Sequence, residues 1–373
     1  MNTKTFGVAA LFLCLTLSIN INAQRSRGPR IKSPVVHPDR TVTFSFRAPE
    51  AELVELNGQF MQGNQPLKVD DAGVWSITVG PIEPDLYPYR FIVDGISVAD
   101  PLNQDIFPNE GFKNSLVDIP GEKPSIYSVQ NVPHGNMTYC YYESETLGMT
   151  RPLIVYTPPG YDAGTDNYPV FYLVSGTTDT EETWFRAGRA NFILDNLLAQ
   201  KRAVPMIIVM PYGNMLSGTP MPTSPEAAKM YKVFNDDLAG NIMPYIEANY
   251  RTIPDRESRA IAGFSRGGGQ SLFTGFNNFD KFAWIGSYSA FLTEEVCDMY
   301  FSGLIENPES TNKRLKLLWM GVGKADFLYK DAAEFDRLMT EKKIEHKALY
   351  TEGGHTWMNA RHYLNETLQL YFK

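Results

Sequence analysis

The chain has 373 residues, 43% of them hydrophobic and 20% charged, with a formal net charge of −8. That composition excludes a disordered, collagenous or coiled-coil chain and provides material for two or three domains of about 150 residues each. The acidic balance argues against nucleic acid as a partner.

Residues 1–23 carry Lys4, an apolar run from Phe6 to Leu17 and the small-residue exit Asn22-Ala23, with no acidic side chain. This is the pattern of a cleaved signal peptide. The apolar run is shorter than the roughly 20 residues of a bilayer-spanning helix, and no later stretch approaches that length. The expectation is an exported protein, periplasmic or extracellular, without a membrane span. Cys14 leaves with the signal. Cys140 and Cys297 are expected as buried thiols, with a disulfide between them as the alternative.

From 25 to 118 the sequence consists of short alternating runs: Thr41 to Phe46, Ala51 to Leu56, Val74 to Val79 and Tyr89 to Val93. Period-two alternation punctuated by turns such as Asp70-Asp71-Ala72-Gly73 and Asp94-Gly95 predicts an all-β sandwich. Residues 119–126, with Pro120-Gly121-Glu122-Lys123-Pro124 at their centre, break the periodicity and read as a linker. Over 127–373 the pattern becomes continuous apolar runs: Pro152 to Tyr156, Val170 to Val174, Met206 to Met210, Arg259 to Gly263 and Leu317 to Gly321. Such runs suit strands buried on both faces of a mostly parallel sheet. The stretches 191–200, 234–249, 270–277 and 332–342 have helical spacing and supply helices for the two faces.

Gly263-Phe264-Ser265-Arg266-Gly267-Gly268 follows one of these strands and precedes a helix. Glycines at those positions permit a turn that lifts Ser265 out of the strand end as a nucleophile. The backbone N–H of Arg266, at the helix N-terminus, becomes an oxyanion donor. A serine hydroxyl needs a base and a carboxylate to orient that base. Of the five histidines, His37 and His134 fall in the sandwich and the first hairpin, His346 in a charged run and His362 within a helix. His355 follows the strand Lys347 to Tyr350 in a loop, where a doubly wound sheet carries its site, and is the candidate base. Asp326, after the strand Leu317 to Met320, is the candidate acid, with Asp331 as the alternative.

The loop Val174-Ser175-Gly176-Thr177-Thr178-Asp179 is expected to donate a second oxyanion amide, from Thr177. Trp184, Tyr212, Asn214 and Trp357 flank these loops as candidate substrate-binding residues, with core packing as the other reading. His355 and His362 stand seven apart and no cysteine cluster accompanies them, so neither a metal nor a cofactor is implied.

These residues resemble carbohydrate esterase family 1 and the related esterase D-like α/β-hydrolases. The matching stretches are Arg189 to Leu197, Met210-Pro211-Tyr212-Gly213, Ala262 to Gly269, Gly323-Lys324-Ala325-Asp326-Phe327-Leu328 and Gly353-Gly354-His355-Thr356-Trp357. The resemblance covers about 127–373. It implies an α/β-hydrolase fold, with Ser265 as nucleophile, Asp326 as acid partner and His355 as base. One departure is Ser175-Gly176-Thr177-Thr178, where the family commonly carries His-Gly and further glycines. Residues 25–118 are similar to the immunoglobulin-like early-set modules related to carbohydrate-binding module family 48, through Gly73-Val74-Trp75, Tyr87 to Gly95 and Asp100-Pro101.

The resemblance implies a secreted serine esterase acting on acylated plant polysaccharide, a feruloyl or acetyl-xylan esterase, with acylated xylan or xylo-oligosaccharide as its partner. Two alternatives stand beside it. One is an esterase for a siderophore lactone of the enterobactin type. The other is a glycan-binding protein whose esterase domain has weakened, motivated by the threonines of the oxyanion loop.

Overall fold

The computed structural model describes residues 31–215 and 225–373, with side chains from 228 onward in the second stretch. The expected signal peptide lies outside the described residues. Among the described residues, no helix is long and apolar enough to cross a membrane.

Two antiparallel sheets form the N-terminal region. One has the order Val35–Val36, Val42–Arg47, Val74–Val79, Lys68–Val69. The other runs Gln65–Pro66, Val54–Gly58, Leu86–Val93, Asn114–Asp118, Ile106–Phe107, with Ile96–Val98 paired to Leu86–Val93. Alternation does what the sequence predicts: Val42, Phe44, Val54, Leu56, Tyr89 and Phe91 turn inward and share one core. The expected strand Ala51 to Leu56 begins only at Val54, because the Asp94 carboxylate accepts the amides of Glu52 and Leu53 and takes them out of the ladder. Trp75 is buried in this core and its indole N–H donates to the Ala48 carbonyl, so it presents no face to a sugar.

The remainder is built on an eight-stranded sheet in the order Asn136–Ser144, Met149–Thr157, Ile207–Pro211, Val170–Val174, Arg259–Phe264, Trp284–Tyr288, Leu317–Gly323, Lys347–Thr351. The first two pairings are antiparallel and the others parallel. Helices cover both faces, which is why the central strands are buried at every position. The strand Trp284–Tyr288 and the helix Glu294–Ile305 are not predicted by the periodicity. Gly286 and Ser287 interrupt the apolar run, but Gly286 is needed, since a Cβ there would lie 2.5 Å from the Tyr371 hydroxyl.

The helix expected over 234–249 is instead Pro225–Asp237, a π turn at Leu238–Ile242, and Met243–Asn249. The wider turn sits where the buried Asp237 accepts hydrogen bonds from Tyr142 and Ser144 at 2.6 Å each and from Asn241. Cys140 and Cys297 are buried free thiols, and burial pushes Cys297 up to about 12.

The two halves are joined by shared core. Leu86, Phe107, Leu116 and Tyr127 belong to the same apolar cluster as Trp184, Leu194, Trp357 and Tyr363. Polar ties reinforce it: Arg361 reaches the Asp85 carboxylate and the carbonyls of Leu86 and Ala187, and Thr183 donates to the Pro108 carbonyl.

Candidate active site

The strand Arg259–Phe264 ends in Ser265, whose φ of 56° and ψ of −125° lie outside the regions open to most side chains. Holding a non-glycine residue there costs about 1–3 kcal/mol, which the surrounding packing must supply. The packing explains two of the neighbouring glycines. A Cβ at Gly263 would lie 2.5 Å from the Gly267 carbonyl, and one at Gly267 would lie 2.4 Å from the Val174 carbonyl oxygen. The helix Arg266–Asn277 starts at once, leaving the Arg266 N–H in its first turn, where orphan amides favour negative charge.

Asp326 follows the strand Leu317–Gly323 and His355 follows Lys347–Thr351, so adjacent parallel strands bring their loops to one edge. His355 Nδ1 lies 2.9 Å and 3.0 Å from the two carboxylate oxygens of Asp326. Burial raises the Asp326 carboxyl, but the hydrogen bond from His355, its charge and the Leu328 amide outweigh it, and the group is held below the usual carboxylate range. Asp331 lies on the helix Tyr329–Glu341 and lines a separate groove with Phe291 and Phe335. Among the described residues two further histidine–carboxylate pairs occur, His134 with Asp195 and His346 with Asp336. In each of them the second ring nitrogen faces a backbone carbonyl, of Gln130 and Ile344 respectively, and neither histidine lines the cleft that holds Ser265.

That cleft has a volume of about 550 Å³. Ser265, His355, Thr177 and Trp357 line it, as do Phe264 and Phe327. Phe264 stacks on the His355 ring at 4.7 Å, and the exposed Phe327 lies 4.5 Å from the same ring on centroids. The opposite wall comes from the sandwich region: Gln59, Pro88, Phe107, Asn109, Phe112 and Asn114. Phe107 and Phe112 stack at 5.6 Å, and Phe107 meets Trp357 edge-on at 6.2 Å. Sequence reasoning missed this wall. Its aromatic residues sit in short strands and turns whose pattern reads only as sandwich.

Three of the candidate substrate-binding residues lie elsewhere. Trp184 is 1% exposed, donates its indole N–H to the Val174 carbonyl and packs edge-on to Trp357 at 4.8 Å, so it backs the site from the core. The Tyr212 ring stacks beneath the Arg151 guanidinium at 4.6 Å. Asn214 is buried and donates to the Glu110 carboxylate at 2.7 Å, a bridge between the two halves. None of the three lines the cleft. Trp357 does, though it is nearly buried.

Asp179, to which the sequence assigns no role, is buried at the end of the candidate oxyanion loop. Burial pushes its carboxyl up to about 7, against the lowering effect of Asn109, the Gly176 amide and Arg266. An unfolded chain ionises this group near 3.8 and the folded chain near 7, so the folded form binds the extra proton between those values. Stability contributed here is full below the unfolded pKa and is lost as pH rises toward 7, by up to about 4 kcal/mol. Urea midpoints measured from pH 4.5 to 8 should carry this downward component in the native chain and lose it in Asp179→Asn. Equal slopes in the two would refute the assignment. Asp326 acts with opposite sign, its contribution disappearing as pH falls through its lowered folded value.

Comparison with known proteins bears on what such a site belongs to. The sequence model of the Esterase family, described as "Putative esterase", matches residues 144–370. The endo-1,4-β-xylanase/feruloyl esterase of Xylanibacter ruminicola is 29% identical over 339 residues, which are 86% of this chain and 46% of that protein. An esterase of Mycobacterium tuberculosis is 29% identical over 215 residues, 55% of this chain and 42% of that protein. The chain thus spans less than half the length of these curated relatives. Among solved structures, a CE1 ferulic acid esterase from Anaeromyces mucronatus, in complex with ferulic acid, has a TM-score of 0.58 at 25% identity, covering 67% of this chain and 96% of that one. The enterobactin esterase of Shigella flexneri has a TM-score of 0.65 at 17% identity, covering 88% of this chain and 92% of that one, a likeness of fold.

Proposed function

The chain belongs to the Esterase family, and from that premise we propose that it is a serine carboxylic-ester hydrolase for feruloyl groups on plant polysaccharide, exported after removal of residues 1–23. Ser265 attacks the ester carbonyl, and His355, oriented by Asp326, takes the hydroxyl proton and returns it to the leaving sugar oxygen. Water then repeats the cycle on the acyl-enzyme, with His355 again as base. The Arg266 and Thr177 amides receive the oxyanion. The observation that carries this reading is the Asp326-paired His355 lining the same cleft as the strained Ser265.

The aromatic acyl group is favoured by the walls. Phe107, Phe112, Phe327 and Trp357 surround a space large enough for a phenylpropenoyl group, and offset or edge-on packing of its ring adds to simple burial. A ferric siderophore of the enterobactin type is strongly anionic, and among the described residues lining the cleft there is no lysine or arginine to meet it. The sandwich region, in this reading a module of the carbohydrate-binding family 48 kind, serves chiefly as a wall of the cleft.

Initial rates on methyl ferulate, acetylated xylan and enterobactin test the assignment. Methyl ferulate should be hydrolysed with the highest kcat/KM. A preference for acetylated xylan would make the protein a deacetylase, and a preference for enterobactin would overturn the polysaccharide assignment altogether.

A further inference from the structure

The oxyanion loop is held from two directions. On the hydrolase side, the Arg266 guanidinium donates to the Gly176 carbonyl at 2.8 Å. Because the peptide is planar and trans, fixing that carbonyl also fixes the direction of the Thr177 N–H. Arg266 is 2% exposed, and burial lowers it only to about 10, so it stays protonated near neutrality. The loop passes close to the nucleophile: a Cβ at Gly176 would lie 3.5 Å from the Ser265 Cβ.

On the other side the contacts come from the sandwich region. Asn109 is 2% exposed and donates through Nδ2 to Asp179 Oδ1 at 3.1 Å. The other carboxylate oxygen of Asp179 accepts the Gly176 N–H at 3.0 Å. Asn109 is itself oriented by the Gly111 N–H, which donates to its Oδ1 at 2.8 Å. One residue on, the Glu110 N–H donates to the Thr178 carbonyl at 2.7 Å, and Thr178 has a φ of 61°, a conformation a β-branched residue adopts only under constraint. Asn109 and Asp179 form an isolated antiparallel bridge, so a short piece of sheet joins the two halves beside Ser265.

We propose that Asn109, supplied by the sandwich region, is a positioning residue for ester hydrolysis: through Asp179 it holds the Gly176–Asp179 turn in the shape that presents the Thr177 amide to the oxyanion. The sandwich region is then part of the catalytic apparatus: the external segment at Glu110 holds Thr178 at positive φ without a glycine, while Gly176 stays glycine because a Cβ there would lie 2.9 Å from Asp179 Oδ2. This inference rests on the esterase reading above.

The test uses the full chain and para-nitrophenyl acetate, whose small acyl group makes little use of the aromatic wall. Asn109→Ala should lower kcat by about 10- to 100-fold with KM within about twofold of the native value, since the lost alignment matters in the transition state. The reciprocal exchange Asn109→Asp/Asp179→Asn restores one donor and one acceptor at the bridge while leaving acceptors for the Gly176 and Gly111 amides, and should recover kcat to within about fivefold. If Asn109→Ala folds poorly, the reciprocal exchange decides alone. Native kcat in a folded Asn109→Ala, or no recovery in the exchange, would overturn the proposal. Ser265→Ala run alongside separates the two levels: if it abolishes turnover while Asn109→Ala retains it, only the positioning role falls, and if turnover survives Ser265→Ala, the esterase reading falls with it.

Discussion

Ser265→Ala should lower ester turnover by about four to six orders of magnitude, to the residue left by binding and oxyanion donors alone. The effect is expected to be that large because this hydroxyl, at the strained turn, is the group that forms the covalent intermediate, and His355 has no proton to take from it once it is gone. A fluorophosphonate should label the native chain at Ser265 and fail to label the variant. The fold should persist, because alanine keeps the packing around φ 56°. Ser265→Gly removes the same hydroxyl but also relieves the backbone, and should raise stability relative to Ser265→Ala by about 1 kcal/mol. Turnover within tenfold of native in either variant would refute the serine mechanism. A stability difference of opposite sign would refute the strain.

Arg361→Met should destabilise the chain by about 3 kcal/mol or more and loosen the sandwich region from the hydrolase sheet. Arg361 is 3% exposed. Its guanidinium donates to the Asp85 carboxylate, to the Leu86 carbonyl at 3.0 Å and to the Ala187 carbonyl at 2.7 Å, and lies 4.9 Å from the Tyr127 ring centroid. Methionine fills most of the volume but leaves one carboxylate and two carbonyls without this donor, and breaking a buried ion pair from one side costs about 3–5 kcal/mol. Asp85 keeps some solvent contact, with 21% of its side chain accessible, which places the expected cost at the lower end. Proteolysis within 119–126 should be faster in the variant, and thermal unfolding should separate into two transitions. Unchanged cleavage and a single transition at the native midpoint would show that the shared apolar core joins the two halves without help from Arg361.

Which parts of this protein are legible from sequence follows from how local their causes are. The elbow at Ser265 is written in adjacent residues, because the glycines at 263 and 267 are required within one turn of the residue they serve. Asp326 and His355 are legible because each lies in the loop after a parallel strand, and such strands all end at the same edge of the sheet. Alternation in the sandwich and continuous apolar runs in the hydrolase region likewise report burial on one face or two. Trp184, Tyr212 and Asn214 follow the same loops in sequence, but proximity along the chain does not set side-chain direction: Trp184 turns into the core, Tyr212 lies under Arg151 and Asn214 reaches Glu110.

The sequence by itself thus determined the strand periodicities, the tight turn at Ser265 and the order of the three candidate catalytic residues, all properties of short segments and of the parallel topology they imply. Only the tertiary structure decided that Phe107, Phe112 and Asn109 of the sandwich region complete the cleft, and that Asp179 becomes a buried carboxyl at the Gly176–Asp179 turn. Asn109 and Asp179 are 70 residues apart, and nothing in either local sequence encodes the partner. Their meeting depends on how two independently patterned regions pack, which is governed by the complementarity of surfaces, not by the period of any one segment.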